Sequence, residues 1–308
     1  MALAILACGR VGAQSSQVQA RITDAVDVND LVTLKGNTHQ LARPEFDRGP
    51  APSDLALNRM LLILTRSPEQ EAALKTLLDQ QQDKSSPNYH HWLTPQQFGQ
   101  QFGPADSDIA EVTAWLGSYG FHDVHVANGR VAIEFSGSAS QVQSAFHTSI
   151  HKFVVDGAEH WANASDPQIP AALAPVVAGV FTLHDFYKAP QIQVADEKFT
   201  ATVAPGGRPQ FTAGSGMHAL VPADYWKIYN FGASPPDTFA VIAIVARSNI
   251  NTEDVLAFHD FTFDQAFVPQ VIVNGPDPGD LGGNEEAEAV LDSTWSAAAA
   301  PAAGLFLV

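Results

Sequence analysis

A break in patterning divides this chain of 308 residues. Over residues 186–218 Lys, Asp, Pro, Gly, Thr and Ser dominate, and Ala204-Pro-Gly-Gly-Arg-Pro-Gln has a linker composition. The stretches on either side carry apolar periodicity. A chain of this length has room for two domains, and an interruption of this kind argues for two cores rather than one. Exposed linkers are where proteases cut.

Upstream, residues 15–55 are polar with scattered Pro and Gly and read as an extended lead-in. Residues 56–185 read as a folded unit. Met60-Leu-Leu-Ile-Leu-Thr65 predicts a strand. Ser67-Pro-Glu-Gln opens a helix running to about Gln82, with Ser as cap, Pro at the first position and acids in the first turn. Thr94-Pro-Gln-Gln-Phe-Gly opens a shorter helix by the same logic. The stretch from Asp106 to Gly120 is amphipathic and ends at glycine. Strands His122–Ala127 and Val131–Phe135 flank Asn128-Gly129, a strong hairpin signal. Ser138–Thr148 predicts a helix and His151–Val155 a strand with a turn at Asp156-Gly157. The order β-α-α-ββ-α-β predicts an α+β unit with an antiparallel sheet and helices on one face.

Downstream, residues 219–308 alternate strands and helices, which predicts an α/β unit. Phe239-Ala-Val-Ile-Ala-Ile-Val-Ala246 is nearly all apolar, as expected of a parallel strand buried on both faces. Thr252 to Asp260 reads as a helix, Val271-Ile-Val273 as a strand and Gly304-Leu-Phe-Leu-Val308 as another. With about three strands, this unit is expected to be cut off before its sheet is complete.

Between those last strands lies Gly282-Gly-Asn-Glu-Glu-Ala-Glu-Ala-Val-Leu-Asp-Ser-Thr-Trp295. Glu288 and Asp292 stand four apart and so share one helix face. Their charges repel, which separates their pKa values and lets one stay protonated while the other ionises. Proton transfer needs such a pair. Acidic pairs at this spacing are also common on solvated helix faces. Here Leu291, Trp295 and Ala298 form an apolar stripe and a buried strand follows, so the helix is expected in a core, where carboxylates need a reason.

The balance of 16 basic against 33 acidic residues, a net charge of -17, argues against nucleic acid as a partner. It fits a secreted protein, extracellular or periplasmic, or one that works in acid. Cys8 stands alone, so there is no disulfide framework. Residues 1–14 read as a partial signal peptide, with Ala13-Gln14 a plausible cleavage point, in preference to a lipid anchor at Cys8. No other run is long and apolar enough to span a membrane. The 11 histidines invite a metal site. His147 and His151 are four apart and His90-His91 adjacent, but the first pair straddles a helix-to-strand change. Glu134 and Asp156 are weak further ligands, so structural or solvated histidines are preferred.

Three segments resemble one family. Tyr89-His-His-Trp-Leu-Thr-Pro-Gln-Gln-Phe-Gly-Gln-Gln-Phe-Gly-Pro104, with Ala114-Trp-Leu-Gly-Ser-Tyr-Gly-Phe121, is similar to the kumamolisin-like activation propeptide of the sedolisins, the serine-carboxyl peptidases. Leu220-Val-Pro-Ala-Asp-Tyr-Trp-Lys-Ile-Tyr-Asn230 resembles the start of their mature enzyme, and Glu288 to Asp292 with Trp295 their catalytic Glu/Asp helix.

The resemblance implies a ferredoxin-like α+β propeptide domain that assists folding and blocks the active site. A subtilisin-like α/β catalytic domain follows, with a maturation site in the linker. It also implies acid-active cleavage of protein or peptide substrates, with Glu288 as general base and Asp292 holding it. Calcium is implied for the complete enzyme, with its ligands absent from this chain. The family's nucleophile lies in a Gly-Thr-Ser motif, and no Gly-Thr-Ser occurs here. Thr148-Ser149 lies in the propeptide-like part, and Ser293 and Ser296 on the acidic helix read as structural. The chain is therefore expected to be a fragment without its serine, inactive as it stands. The alternative is a non-enzymatic inhibitor or folding-chaperone module with a remnant catalytic domain.

Overall fold

The computed structural model describes residues 18–192, 198–203, 209–231, 240–262 and 267–308. The expected signal peptide, Cys8, the Ala204–Arg208 part of the linker and Phe239 lie outside them. The chain is mixed α/β and divides into two units, Met1–Tyr187 and Lys188–Val308.

The first unit begins with β1 (Leu31–Thr33), β2 (Asp47–Pro50) and β3 (Ala56–Leu64). Helices α1 (Pro68–Gln82), α2 (Pro95–Phe102) and α3 (Asp106–Ser118) follow. Then come β4 (His122–Val126), β5 (Ala132–Ser138), α4 (Ala139–Phe146), β6 (Ile150–Val155), β7 (Ala158–Asn163), β8 (Gln168–Pro170) and β9 (Val177–Val180). β3 is the organising strand: Met60, Leu62 and Leu64, every second residue, point into the core. It pairs antiparallel with β5 on one side and β9 on the other, giving the sheet order β4-β5-β3-β9. A second sheet has the order β2-β6-β7.

Against the first sheet lie Val112, Trp115 and Leu116 of α3 and Val142, Ala145 and Phe146 of α4, all buried. Aromatic rings lock this layer edge-on, with Trp115 to Phe146 at 5.1 Å and Phe121 to Phe135 at 5.0 Å between centroids. Three helices start with reciprocal caps, at Ser67 with Gln70, Thr94 with Gln97 and Ser138 with Gln141. In each the hydroxyl accepts an amide N–H three residues on, and the glutamine side chain accepts the cap's own N–H.

Two expectations for this unit change. The lead-in is part of the fold: β1 pairs with β8, β2 with β6, and Ile22, Val26 and Val32 pack on the core. The carboxylate of Asp108, wholly buried on α3, accepts the Arg21 and Ile22 N–H groups at 2.9–3.1 Å. Arg21 in turn donates to the Pro175 carbonyl at 2.6 Å and to that of Thr65. The hairpin at Asn128-Gly129 exists, but the left-handed residue is Arg130, with φ 52°. The Arg130 N–H donates to the Ala127 carbonyl at 2.7 Å. The reason is packing: Gly99 of α2 sits so close that a Cβ there would overlap the Asn128 carbonyl, and Arg130 is tied to Asp106 and the Pro104 carbonyl.

The second unit opens with β10 (Phe199–Val203), β11 (Pro209–Ala213) and β12 (His218–Ala219), an antiparallel meander where sequence predicted only linker. Phe211 is buried, 4.7 Å from the Phe261 ring. Then follow α5 (Pro222–Ile228), β13 (Val241–Ile244), α6 (Thr252–Thr262), β14 (Gln270–Val271), α7 (Gly283–Ala299) and β15 (Gly304–Leu307). The last three strands are parallel, in the order β13-β15-β14. The expected burial of the Phe239–Ala246 run on both faces is not met. Ile244 is buried, but Val241 is 63% and Val245 86% exposed. The core of this sheet is small: Ile244, Ala289, Ala297, Leu305 and Leu307.

Candidate active-site helix

Helix α7 begins at Gly283 after its cap Gly282, both at positive φ, a backbone that glycine adopts without strain. Glu285 and Glu286 occupy its first turn, where the helix dipole favours negative charge. The buried face is Ala289, Ser293 and Ala297, with Thr294 and Ala298 beside it. This corrects the expected stripe: Ala298 is inside, Trp295 is half-buried and Leu291 is 39% exposed. Small residues bring the helix close to the sheet. Ser293 lies wholly inside, and its hydroxyl has no partner among the described residues.

Glu288 and Asp292 each precede a buried residue by one position, so they rim the packed face. Glu288 is half-buried, and its Oε2 accepts the backbone N–H of Gln191 at 3.0 Å. Beside it, Arg247 donates to the Lys188 carbonyl at 2.9 Å and pairs with Glu285. The segment that opens the second unit is thus pinned along the acidic face of α7. Asp292 is exposed, so the expected core setting is not met on its side; partial loss of solvation and then the charge of Glu288 still hold its carboxyl above its ordinary pKa. A carboxyl of this kind keeps its proton further into the pH range than a free aspartate.

The motif at Leu220–Asn230 meets the same helix. Trp226 Nε1 donates to the Ala298 carbonyl at 2.8 Å, and Tyr225 packs edge-on against Trp295 at 4.9 Å. A cleft of about 350 Å³ opens at the carboxyl ends of the parallel strands, lined by Val245–Asn249, Val271–Asn274, Pro276, Pro278, Leu307 and Val308. In open parallel sheets that end is where ligands bind.

Sequence reading missed Gln191 and Arg247. The signal for Arg247 was its place just after an apolar strand. The bond from Gln191 comes from its backbone, which no side-chain pattern can flag. The histidines weighed as metal ligands are dispersed. His147 caps α4 in a left-handed conformation, His151 Nδ1 lies 2.8 Å from Asp47 Oδ2, and His90 stacks on Tyr89. Glu134 is bound to Arg59 at 3.0 Å.

Fold and helix together define a two-unit mixed α/β chain whose second unit carries a paired-carboxylate helix. The sequence profile of the family described as Pro-kumamolisin, activation domain, matches residues 46–186. Xanthomonalisin of Xanthomonas sp. (strain T-22) is 29% identical over 245 residues, covering 75% of this chain and 28% of its own length. Sedolisin of Pseudomonas sp. (strain 101) is 25% identical over 225 residues, covering 72% and 37% respectively. Kumamolisin of Bacillus sp. (strain MN-32) is 26% identical over 153 residues, covering 49% and 26%. The chain thus spans between 26% and 37% of the length of these curated relatives. Together these matches support a sedolisin-family precursor, with the activation domain over residues 46–186.

Proposed function

We propose that the chain belongs to the zymogen of a secreted, acid-active serine-carboxyl endopeptidase, with Glu288 as general base and Asp292 as its partner. The observation that carries this is the α7 pair. Two carboxylates rim one packed face, Glu288 half-buried and Asp292 exposed, and Asp292 is pushed toward its neutral form by partial desolvation and by Glu288. Such an arrangement separates the acid and base roles of two like groups. A glutamate base suits acid chemistry, because a histidine would be protonated there and unable to accept a proton. In this reading Glu288 takes the proton of a serine hydroxyl as it attacks a peptide carbonyl, then returns it to the leaving amine. No position of this chain is assigned as that serine. In this chain the Gln191 N–H donates to Glu288.

The fold supports the reading. In the first unit the order β9-β3-β5-β4, with α1 to α3 between β3 and β4 and α4 after β5, fits a ferredoxin-like propeptide domain. The parallel β13-β15-β14 sheet with α6 and α7 as crossovers fits the subtilisin-like class. Cleavage between Tyr187 and Phe199 would separate the units ahead of the meander. No helix among the described residues is long and apolar enough to cross a membrane. Among the described residues, no group of three or more His, Cys, Asp or Glu is placed to hold a metal ion.

The test is Glu288→Gln in a version carrying the complete catalytic domain. The amide keeps the size but cannot accept the proton, so turnover of a mixed peptide library at acid pH is expected to fall by about 10²–10⁴-fold, with folding intact. Activity near that of the parent would leave the pair as a solvated helix face.

A further inference from the structure

The first unit ends on a clasp of histidines that the proposed catalysis does not use. Phe186 is held between two imidazoles. His39, from the loop after β1, stacks on it at 4.4 Å with a 12° interplanar angle, and His160 of β7 stacks at 4.3 Å and 25°. Two rings so near one phenyl must take its two faces, since on one face they would overlap. His184 lies 4.6 Å from the His39 ring. The backbone is held here as well: the Asp185 N–H donates to the Trp161 carbonyl at 3.0 Å, and the Asn163 N–H to that of Leu183 at 3.1 Å.

Two of these imidazoles work as acceptors. His184 Nδ1 accepts the Phe186 N–H at 3.3 Å, and His39 Nδ1 accepts the Leu41 N–H at 3.3 Å. A charged imidazole carries a proton on both nitrogens and can accept nothing. Protonation would therefore cancel both bonds and set two cations side by side.

We propose that this cluster is an acid-sensitive clasp, closed on Phe186 while His39 and His184 are neutral and open when they are charged, so that acid frees the chain after Leu183. The Phe186–Tyr187 end leads directly into the segment that, in the second unit, covers Glu288 and pairs with Arg247. Opening exposes that connection to cleavage by any protease present. The inference rests on the geometry of the first unit alone and stands whether or not Glu288 is a base.

The electrostatics agree. Burial and then His160 hold His39 below its ordinary pKa; burial and then His39 do the same for His184, against the pull of Asp185. Groups so depressed lend stability above the free imidazole value and lose it as pH falls through their folded range. The titratable groups facing the clasp are Asp185, 3.3 Å from His160 Nδ1, Asp166, which binds the turn before His39, and the Asp47–His151 pair beside Phe153. The contact of Asp185 with His160 resists opening on that side. Attraction of a cation for the phenyl face also resists it, but neither restores an acceptor to the Leu41 and Phe186 N–H groups.

The test is hydrogen exchange on the 308-residue chain, read on the peptide spanning residues 183–190 and corrected for intrinsic rates. Local opening is expected to rise at least about tenfold between about pH 7.5 and about pH 5.5, either side of the free imidazole value. The double variant His39→Asn, His184→Asn should remove that rise, because the asparagine oxygen accepts a nearby N–H and never charges. Equal protection at the two pH values in the parent, or an undiminished rise in the folded double variant, would overturn the clasp. Should that variant not fold, imidazole NMR titration of the parent decides. Midpoints for His39 and His184 below 6.5 that track the opening support the clasp, and midpoints at or above 6.5 overturn it.

Discussion

The two units solve the problem of burial differently. In the first, Met60, Leu62, Leu116, Ile133, Phe135 and Phe146 are all sealed from solvent, and the lead-in from Arg21 is bound to the same core. In the second, the parallel sheet rests on a handful of residues, and Val241, Val245, Val271, Ile272 and Val273 stay exposed. The sparse unit carries the candidate chemistry. Burial contributes roughly 25 cal/mol per Å² of apolar surface, and among the described residues the first unit has the larger buried cluster. Packing and chemistry are separated along this chain, and each can be broken without the other.

The largest expected effect is on the packed side. Phe146→Ala removes the ring shared by Trp115, Phe121 and Phe135 and should cost about 3–5 kcal/mol in chemical denaturation. Asp108→Ala comes next. It strips the acceptor from the Arg21 and Ile22 N–H groups and should cost about 1.5–3 kcal/mol. A cost near zero would show that the lead-in is only draped on the unit. Val245→Ala, at an 86% exposed site, should change stability by less than about 0.5 kcal/mol. If it matched Phe146→Ala, the contrast between the units would fail.

What could be read from sequence follows the same division. Local chemistry was legible. Ser67-Pro68 and Thr94-Pro95 marked the starts of α1 and α2, and Ser138 that of α4, because a cap is a bond between residues three apart. The α7 pair was legible because four residues is a helical spacing. Partners distant in sequence were not. The Asp108 bond to Arg21 spans 87 positions and leaves no pattern. The meander was misread on composition, although Phe199, Ala201 and Val203 alternate with threonines as a strand should. The Phe239–Ala246 run was taken as doubly buried because parallel strands usually are. Here β13 pairs only with β15 among the described residues, which leaves Val241 and Val245 uncovered.

The central claim is that the charge of Glu288 acts on the proton of Asp292. Asp292, raised by burial and by Glu288, favours the folded state while protonated, so its contribution fades as pH rises through its folded pKa. Carboxyl NMR titration of the 308-residue chain reads this directly. The Asp292 midpoint should lie above the ordinary aspartate value of about 3.9, and Glu288→Gln should lower it part of the way back, leaving the share due to burial. An Asp292 midpoint at the ordinary value, or one that Glu288→Gln does not move, would contradict the account.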